Sequence, residues 1–265
     1  MASQQTRNLC SVHGSQGANQ SPINIESHKA IYDEDLAKNH LKIAQHSATI
    51  ALTNTGATVD VKADQSYEIS GGPMPNPYEL VGFHFHWQNK YNHLAGSEHT
   101  VDGKAFASEL HLVHLNKAKY SSVNDALGHK NGLCVLGVFL ELTSDKTGHN
   151  DLEALTRSFE KIQLKDSEYT SPNAFCPYSL LPSDQLSYWT YPGSLTTAPF
   201  SECVTWIVFR EPIQVSQNQL DQFRLLKTAT KEEAAGKEHG KLPCICHNVR
   251  ETFPLGDRVL RASFS

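Results

Sequence analysis

Several protein classes are excluded by what this sequence has little of. Six cysteines in 265 residues (Cys10, Cys134, Cys176, Cys203, Cys244 and Cys246) are too sparse for a disulfide scaffold. The opening residues Met1-Ala-Ser-Gln-Gln-Thr-Arg carry no apolar core of the secretory kind. No apolar run approaches the roughly 20 residues that span a bilayer. The longest, Leu133 to Leu142, has strand length and is broken by Gly137. A soluble, cytoplasmic protein with no membrane partner is expected. Lysines and arginines form no stripe, and the formal charge of -5 is spread without long single-sign runs. Nucleic acid is therefore not an expected partner. Repeats and low-complexity linkers are absent too, which removes solenoid and tethered-domain architectures.

What is present is a chain long enough to bury a large core, with 39% hydrophobic residues. Short apolar segments rich in Val, Ile, Phe and Trp, separated by Gly, Pro and Asn turns, predict strands. These cover Ala48–Leu52, Thr58–Val61, Tyr78–Trp87, Ala107–Leu115, Leu133–Leu142 and Cys203–Glu211. Two helices are expected. One carries Leu152, Leu155, Phe159 and Ile162 at helical spacing, and the other starts at a Ser216/Gln219 capping box before Leu220, Phe223 and Leu226. The fold class is mixed α/β but sheet-dominated: a single domain around a large, mostly antiparallel twisted sheet with short peripheral helices.

Fourteen histidines are present, and three differ from the rest by placement. In Phe83-His84-Phe85-His86-Trp87 the two imidazoles stand at i and i+2, so on a strand they share one face while the aromatic residues take the other. In Glu109-Leu110-His111-Leu112-Val113-His114 a carboxylate stands beside an imidazole on one face. That neighbour suits the second N–H of a metal-bound ring. Each segment alone also fits hydrogen-bonded surface histidines, and spacing cannot say whether the two strands are neighbours. Cys244-Ile-Cys246-His247 has the form of a metal clip, but no second Cys/His pair stands at finger-like spacing, so it reads as local structure.

Taken together, Gln20-Ser21-Pro22-Ile23-Asn24-Ile25, Phe83 to Trp87, Gly96 to Asp102 and Glu109 to His114 closely resemble the alpha carbonic anhydrases. So do Tyr188 to Thr197, Glu202 to Trp206 and Arg258 to Phe264, in the family's order. The resemblance implies a zinc enzyme that hydrates carbon dioxide to bicarbonate and a proton through a zinc-bound hydroxide. It implies zinc on His84, His86 and His111, with Glu109 and the backbone carbonyl of Asn248 holding the second nitrogens of His111 and His86. Thr196, donating its hydroxyl hydrogen bond to Glu98, would orient the nucleophile. Val113, Val135, Leu195, Val204 and Trp206 would form an apolar pocket wall, and Thr197 would line the bicarbonate position. Sulfonamide inhibitors and a monomeric state are also expected, with residues 20–265 as the catalytic domain and 1–19 as a flexible segment.

Departures from the family pattern qualify these expectations. Gly82 replaces a glutamine that usually bonds the first zinc histidine, which predicts a weakened metal site. The stretch Arg7 to Ala18 lacks the usual aromatic residues, and Val249 stands where a tryptophan is usual. Ser15 and Phe200 occupy positions that secreted members join by a disulfide. Ala57 replaces the histidine that shuttles protons in fast members, and Asp60, with a carboxylate pKa near 4, is a weak substitute. The alternatives are a carbonic anhydrase-related binding protein that has lost catalysis, or a zinc-storing or biomineral-matrix protein. No acidic repeat supports the last.

Overall fold

A computed structural model describes residues 17–64, 66–88, 95–144 and 146–265. Most of the N-terminal segment, with Cys10 and His13, and also His93, lies outside the described residues. Strands dominate, as the apolar segments predict. Their hydrogen-bonded order is Glu168–Thr170, Ile50–Asn54, Val59–Ala63, Tyr78–Trp87, Ser108–Leu115, Leu133–Leu142, Val204–Phe209, Tyr188–Gly193, Arg261–Ala262, Ile31–Tyr32. Neighbours on this path are antiparallel except at two places, where Leu133–Leu142 meets Val204–Phe209 and Arg261–Ala262 meets Ile31–Tyr32. The first parallel pair is possible because some sixty residues of crossover separate its strands, far more than a hairpin needs.

Leu133–Leu142 and Val204–Phe209 are buried on both faces and read as near-continuous apolar runs, whereas Tyr78–Trp87 and Ser108–Leu115 alternate, with histidines among their buried residues. Phe83, Phe85, Trp87, Leu110, Leu112, Leu136 and Val138 pack on one face, against Leu152, Leu155, Phe159, Leu220 and Phe223. Val135, Phe139, Tyr191, Val204, Trp206 and Val208 form a second cluster on the other. The helices follow their sequence signals. Gln217–Phe223 begins at Ser216 with both halves of the capping box made. Asn150–Thr156 starts just ahead of Leu152, with the His149 side chain accepting from Leu152 N–H, and it continues as a 3-10 turn through Arg157–Lys161.

Strand ends shift by a residue or two. Ala48 makes only an isolated bridge to Phe175, and Ile50–Asn54 is the strand proper. Among the described residues no helix is long and apolar enough to cross a membrane.

Candidate metal centre

Register across the two central strands brings the separated motifs together. His84 stands directly opposite His111, and His86 opposite Glu109. The period-2 alternation then turns all three imidazoles to one face, with Phe83 and Phe85 buried on the other at 0% exposure. Ring centroids lie 5.1 Å (His84–His86), 5.4 Å (His84–His111) and 4.5 Å (His86–His111) apart. One nitrogen from each ring falls within 4.8 Å of the others, a spacing that can hold a metal ion.

The remaining nitrogens decide which atoms are free. His86 Nδ1 sits 2.7 Å from the Asn248 carbonyl, so Nε2 is the atom that points inward. His111 Nε2 sits 2.7 Å from Glu109 Oε1, which leaves Nδ1. Inward-pointing His86 Nε2 is buried with no hydrogen-bond partner, and so is Glu98 Oε2, which lies 3.3 Å from it and 3.8 Å from His111 Nδ1. A buried ring nitrogen with no partner is costly. A cation held by the three rings accounts for it, and the donor set of three imidazoles suits zinc. Burial pushes the pKa of all three histidines down, with the neighbouring imidazoles adding to the effect at His84. The rings are therefore neutral at pH 7, as metal ligands must be.

Glu109 is the hub of the second layer. Its burial alone would raise the carboxyl pKa, but its electrostatic interactions and hydrogen bonds with the His99 and His111 rings outweigh that and hold it well below the usual range. Oε2 accepts from the backbone N–H of Glu98 and His99 at 2.9 and 2.8 Å, and Oε1 meets His99 Nδ1 and His111 Nε2. Gly137, register partner of His111, makes room for this group: a Cβ there would lie 3.3 Å from Glu109 Oε1. Gly137 was visible in the sequence as the break in an apolar run, without any sign of its purpose.

Glu98 itself is 2% exposed, and burial raises its pKa to about 7 against the opposing pull of His111 and the Thr196 hydroxyl. Its Oε1 accepts the backbone N–H of Arg250 at 2.9 Å. Sequence reasoning missed Arg250 entirely, since a backbone donor leaves no residue-type signature. The Arg250 guanidinium packs over the Phe200 and Phe253 rings and donates to Gln20 Oε1 and the Ser21 carbonyl, tying the Gln20-Ser21-Pro22 motif to the site. A second unforeseen chain runs outward from His99, whose Nε2 lies 2.6 Å from the Tyr191 hydroxyl, which in turn donates to Ser21 Oγ.

Val113, Val135 and Trp206 form one row across three adjacent strands, on the His111 side of the sheet. Val204 is buried, Leu195 is half-buried in the same cluster, Thr196 is 7% exposed and Thr197 is open to solvent. Ala57 is exposed in the turn after Asn54, and its carbonyl accepts from Asn248 Nδ2 at 3.0 Å.

Two sequence expectations change. Cys244 and Cys246 are bonded to each other, so the run is neither a metal clip nor unremarkable local structure. Asp60 is no ordinary surface carboxylate: it is the register partner of His84, and burial raises its pKa while Lys62 opposes the rise.

At Gly82 the ladder slips between Leu80 and Gly82, and a Cβ would come within 2.9 Å of the Val61 carbonyl. His84 has no hydrogen-bond partner among the described residues, yet the backbone here has no space for a side chain to supply one. We expect Gly82→Ala to lower stability by about 1–3 kcal/mol, as overpacking does. An unchanged urea midpoint would mean that the Val61 strand yields freely.

Comparison with known proteins agrees with this geometry. A family model for eukaryotic-type carbonic anhydrase matches residues 6–264. The chain is similar to carbonic anhydrase 7 of Mus musculus, 44% identical over 252 residues, covering 94% of this chain and 90% of that protein. Mitochondrial carbonic anhydrase 5A of Homo sapiens is 42% identical over 252 residues, covering 94% and 77%. The carbonic anhydrase-related protein of Homo sapiens is 39% identical over 254 residues, covering 94% and 84%. With a family match over nearly its whole length, the chain belongs to the eukaryotic-type carbonic anhydrases, zinc enzymes of the lyase class that interconvert carbon dioxide and bicarbonate.

Proposed function

We propose that residues 20–265 form one catalytic domain in which His84, His86 and His111 hold the zinc and Thr196 and Glu98 orient the attacking oxygen. The observation that carries this reading is the pair of buried, partnerless atoms facing each other at the centre, His86 Nε2 and Glu98 Oε2. Bound zinc supplies a Lewis acid that brings the pKa of water to about 7, an established property of carbonic anhydrase rather than a result of this geometry.

The chain's own residues do the rest. Glu109 and Asn248 hold His111 and His86 so that each aims a lone pair inward. Thr196 accepts a hydrogen bond from the nucleophile and donates its own O–H to Glu98, directing the attack. Val113, Val135, Leu195, Val204 and Trp206 offer carbon dioxide an apolar wall, which suits a small substrate with no need of hydrogen bonds. Thr197 lines the side on which bicarbonate leaves. One zinc per chain and stopped-flow hydration blocked by a sulfonamide are the expected results. A zinc-loaded protein with no hydration above buffer would favour the binding-protein alternative. We place the protein in the cytoplasm, because Ser15 and Phe200 stand where secreted relatives carry a disulfide. Cell fractionation tests that location.

Proton export is the slow step in this reading. A histidine near pKa 6.5 matches a donor near 7, and Ala57 cannot titrate. Turnover at saturating carbon dioxide should rise with added imidazole buffer, and Ala57→His should raise it without much change in kcat/KM. If neither does, another acceptor carries the proton. Asp60, raised by burial, is then the first group to replace by Asn.

A further inference from the structure

The Cys244–Cys246 disulfide has no part in the chemistry above. It encloses a single residue, Ile245, and both cysteines are half-buried, within reach of small reagents. Free Cys134 and Cys203 are buried.

The enclosed residue is pinned at both ends. Ile245 N–H donates to the Leu226 carbonyl at 2.9 Å, the Ile245 carbonyl accepts from Trp87 Nε1 at 2.8 Å, and the residue is 3% exposed. From there the chain runs alongside the end of the double-histidine strand. His247 bridges Gln88, and Asn248 closes on Trp87 with Oδ1 accepting Trp87 N–H at 2.7 Å and its own N–H donating to the Trp87 carbonyl at 3.3 Å. The Asn248 carbonyl then holds His86 Nδ1 at 2.7 Å. Only His247 separates the disulfide from Asn248, whose carbonyl orients a ring of the metal site.

We propose that Cys244 and Cys246 form a thiol-exchange site for low-molecular-weight thiols of the glutathione class, and that its redox state sets how firmly Asn248 holds His86. The exchange is balanced by two thiol molecules. The thiolate of the first attacks one cysteine sulfur, the Cys244–Cys246 bond breaks, and the other cysteine leaves as thiolate and takes up a proton. The second thiolate attacks the mixed disulfide, releasing the first cysteine, which is protonated in turn, and one molecule of the small disulfide. Two electrons pass from the small thiols to the protein.

Reduction removes the S–S constraint, and the sulfurs move apart by side-chain rotation or by displacement of the backbone. Ile245 is anchored by Leu226 and Trp87, and the displacement passes toward His247 and Asn248. Loss of a hydrogen bond that orients a metal-bound histidine typically costs about 10–100-fold in metal affinity. The link to His86 rests on the zinc assignment proposed above, whereas the exchange site itself does not.

The test uses the full-length, zinc-loaded protein equilibrated at set ratios of reduced to oxidised glutathione, acid-quenched and alkylated with N-ethylmaleimide. The tryptic peptide Leu242–Arg250 holds both cysteines, and its adducts are counted by mass. Zero adducts under oxidising ratios, passing to two under reducing ones, is the expected result. Two at every ratio, or none at any, overturns the exchange site. In parallel, zinc transfer to a chromophoric chelator should be about tenfold faster from the reduced protein. A Cys244→Ser, Cys246→Ser double variant should release zinc at the faster rate whatever the glutathione ratio. Should that variant not fold, the oxidised and reduced wild-type protein still give the comparison. Equal release in both states overturns the coupling to His86. A protein that labels as expected but never holds zinc overturns the metal assignment and leaves the exchange site standing.

Discussion

Replacing His111 by alanine is expected to abolish stoichiometric zinc and carbon dioxide hydration together. The remaining rings, His84 and His86, are neighbours on one strand, and two imidazoles alone do not make a tetrahedral site that survives dialysis. The substitution also takes one of four donors from Glu109, a carboxylate whose other three come from His99 and two backbone N–H groups. Because those three remain, the fold should survive, so loss of metal and loss of fold can be told apart by circular dichroism. Metal analysis after dialysis and stopped-flow hydration are the measurements. Full activity in a metal-free variant would sink the zinc mechanism.

Replacing Thr196 by alanine should leave zinc in place and slow hydration by about 100-fold or more, the scale expected when a group that positions a reacting atom is removed. The reason lies in Glu98. Its carboxylate is held from behind by the Arg250 N–H on Oε1, and the Thr196 hydroxyl hydrogen-bonds the same carboxylate. That order, backbone to carboxylate to hydroxyl, gives the hydroxyl one direction in which to accept. Alanine cannot pass the orientation on. None of the three ring nitrogens belongs to Thr196, so metal content should not fall. A near-wild-type rate would refute the orienting role, and a variant that also loses zinc would show that Thr196 is structural.

The contrast between these two positions separates what is local in the sequence from what is not. His84 and His86 declared themselves because a strand repeats every two residues, a local property that spacing reports directly. The pairing of Glu109 with His111 is local in the same way. Thr196 and Glu98 lie on loops of no fixed period, and only similarity to a family picked them out. Arg250 escaped both routes because it acts through its backbone, and any residue but proline offers that donor. Gly82 looked like a simple loss of a partner for His84. The slip in the ladder shows that the Val61 carbonyl already fills the space a side chain would need.

The chain by itself therefore determined the class of fold, the long central strands, the helix capped at Ser216, and the two short segments able to hold a metal. Each of these depends on residues close in sequence. Only the tertiary structure decided that His84 faces His111, that Glu109 gathers four donors, and that Asn248, more than 160 positions away, supplies the carbonyl for His86. It also decided that two cysteines bond beside that carbonyl. Such contacts come from the register of neighbouring strands and the course of distant loops. Register is set by how the buried faces pack as a whole, and no stretch of sequence carries it alone.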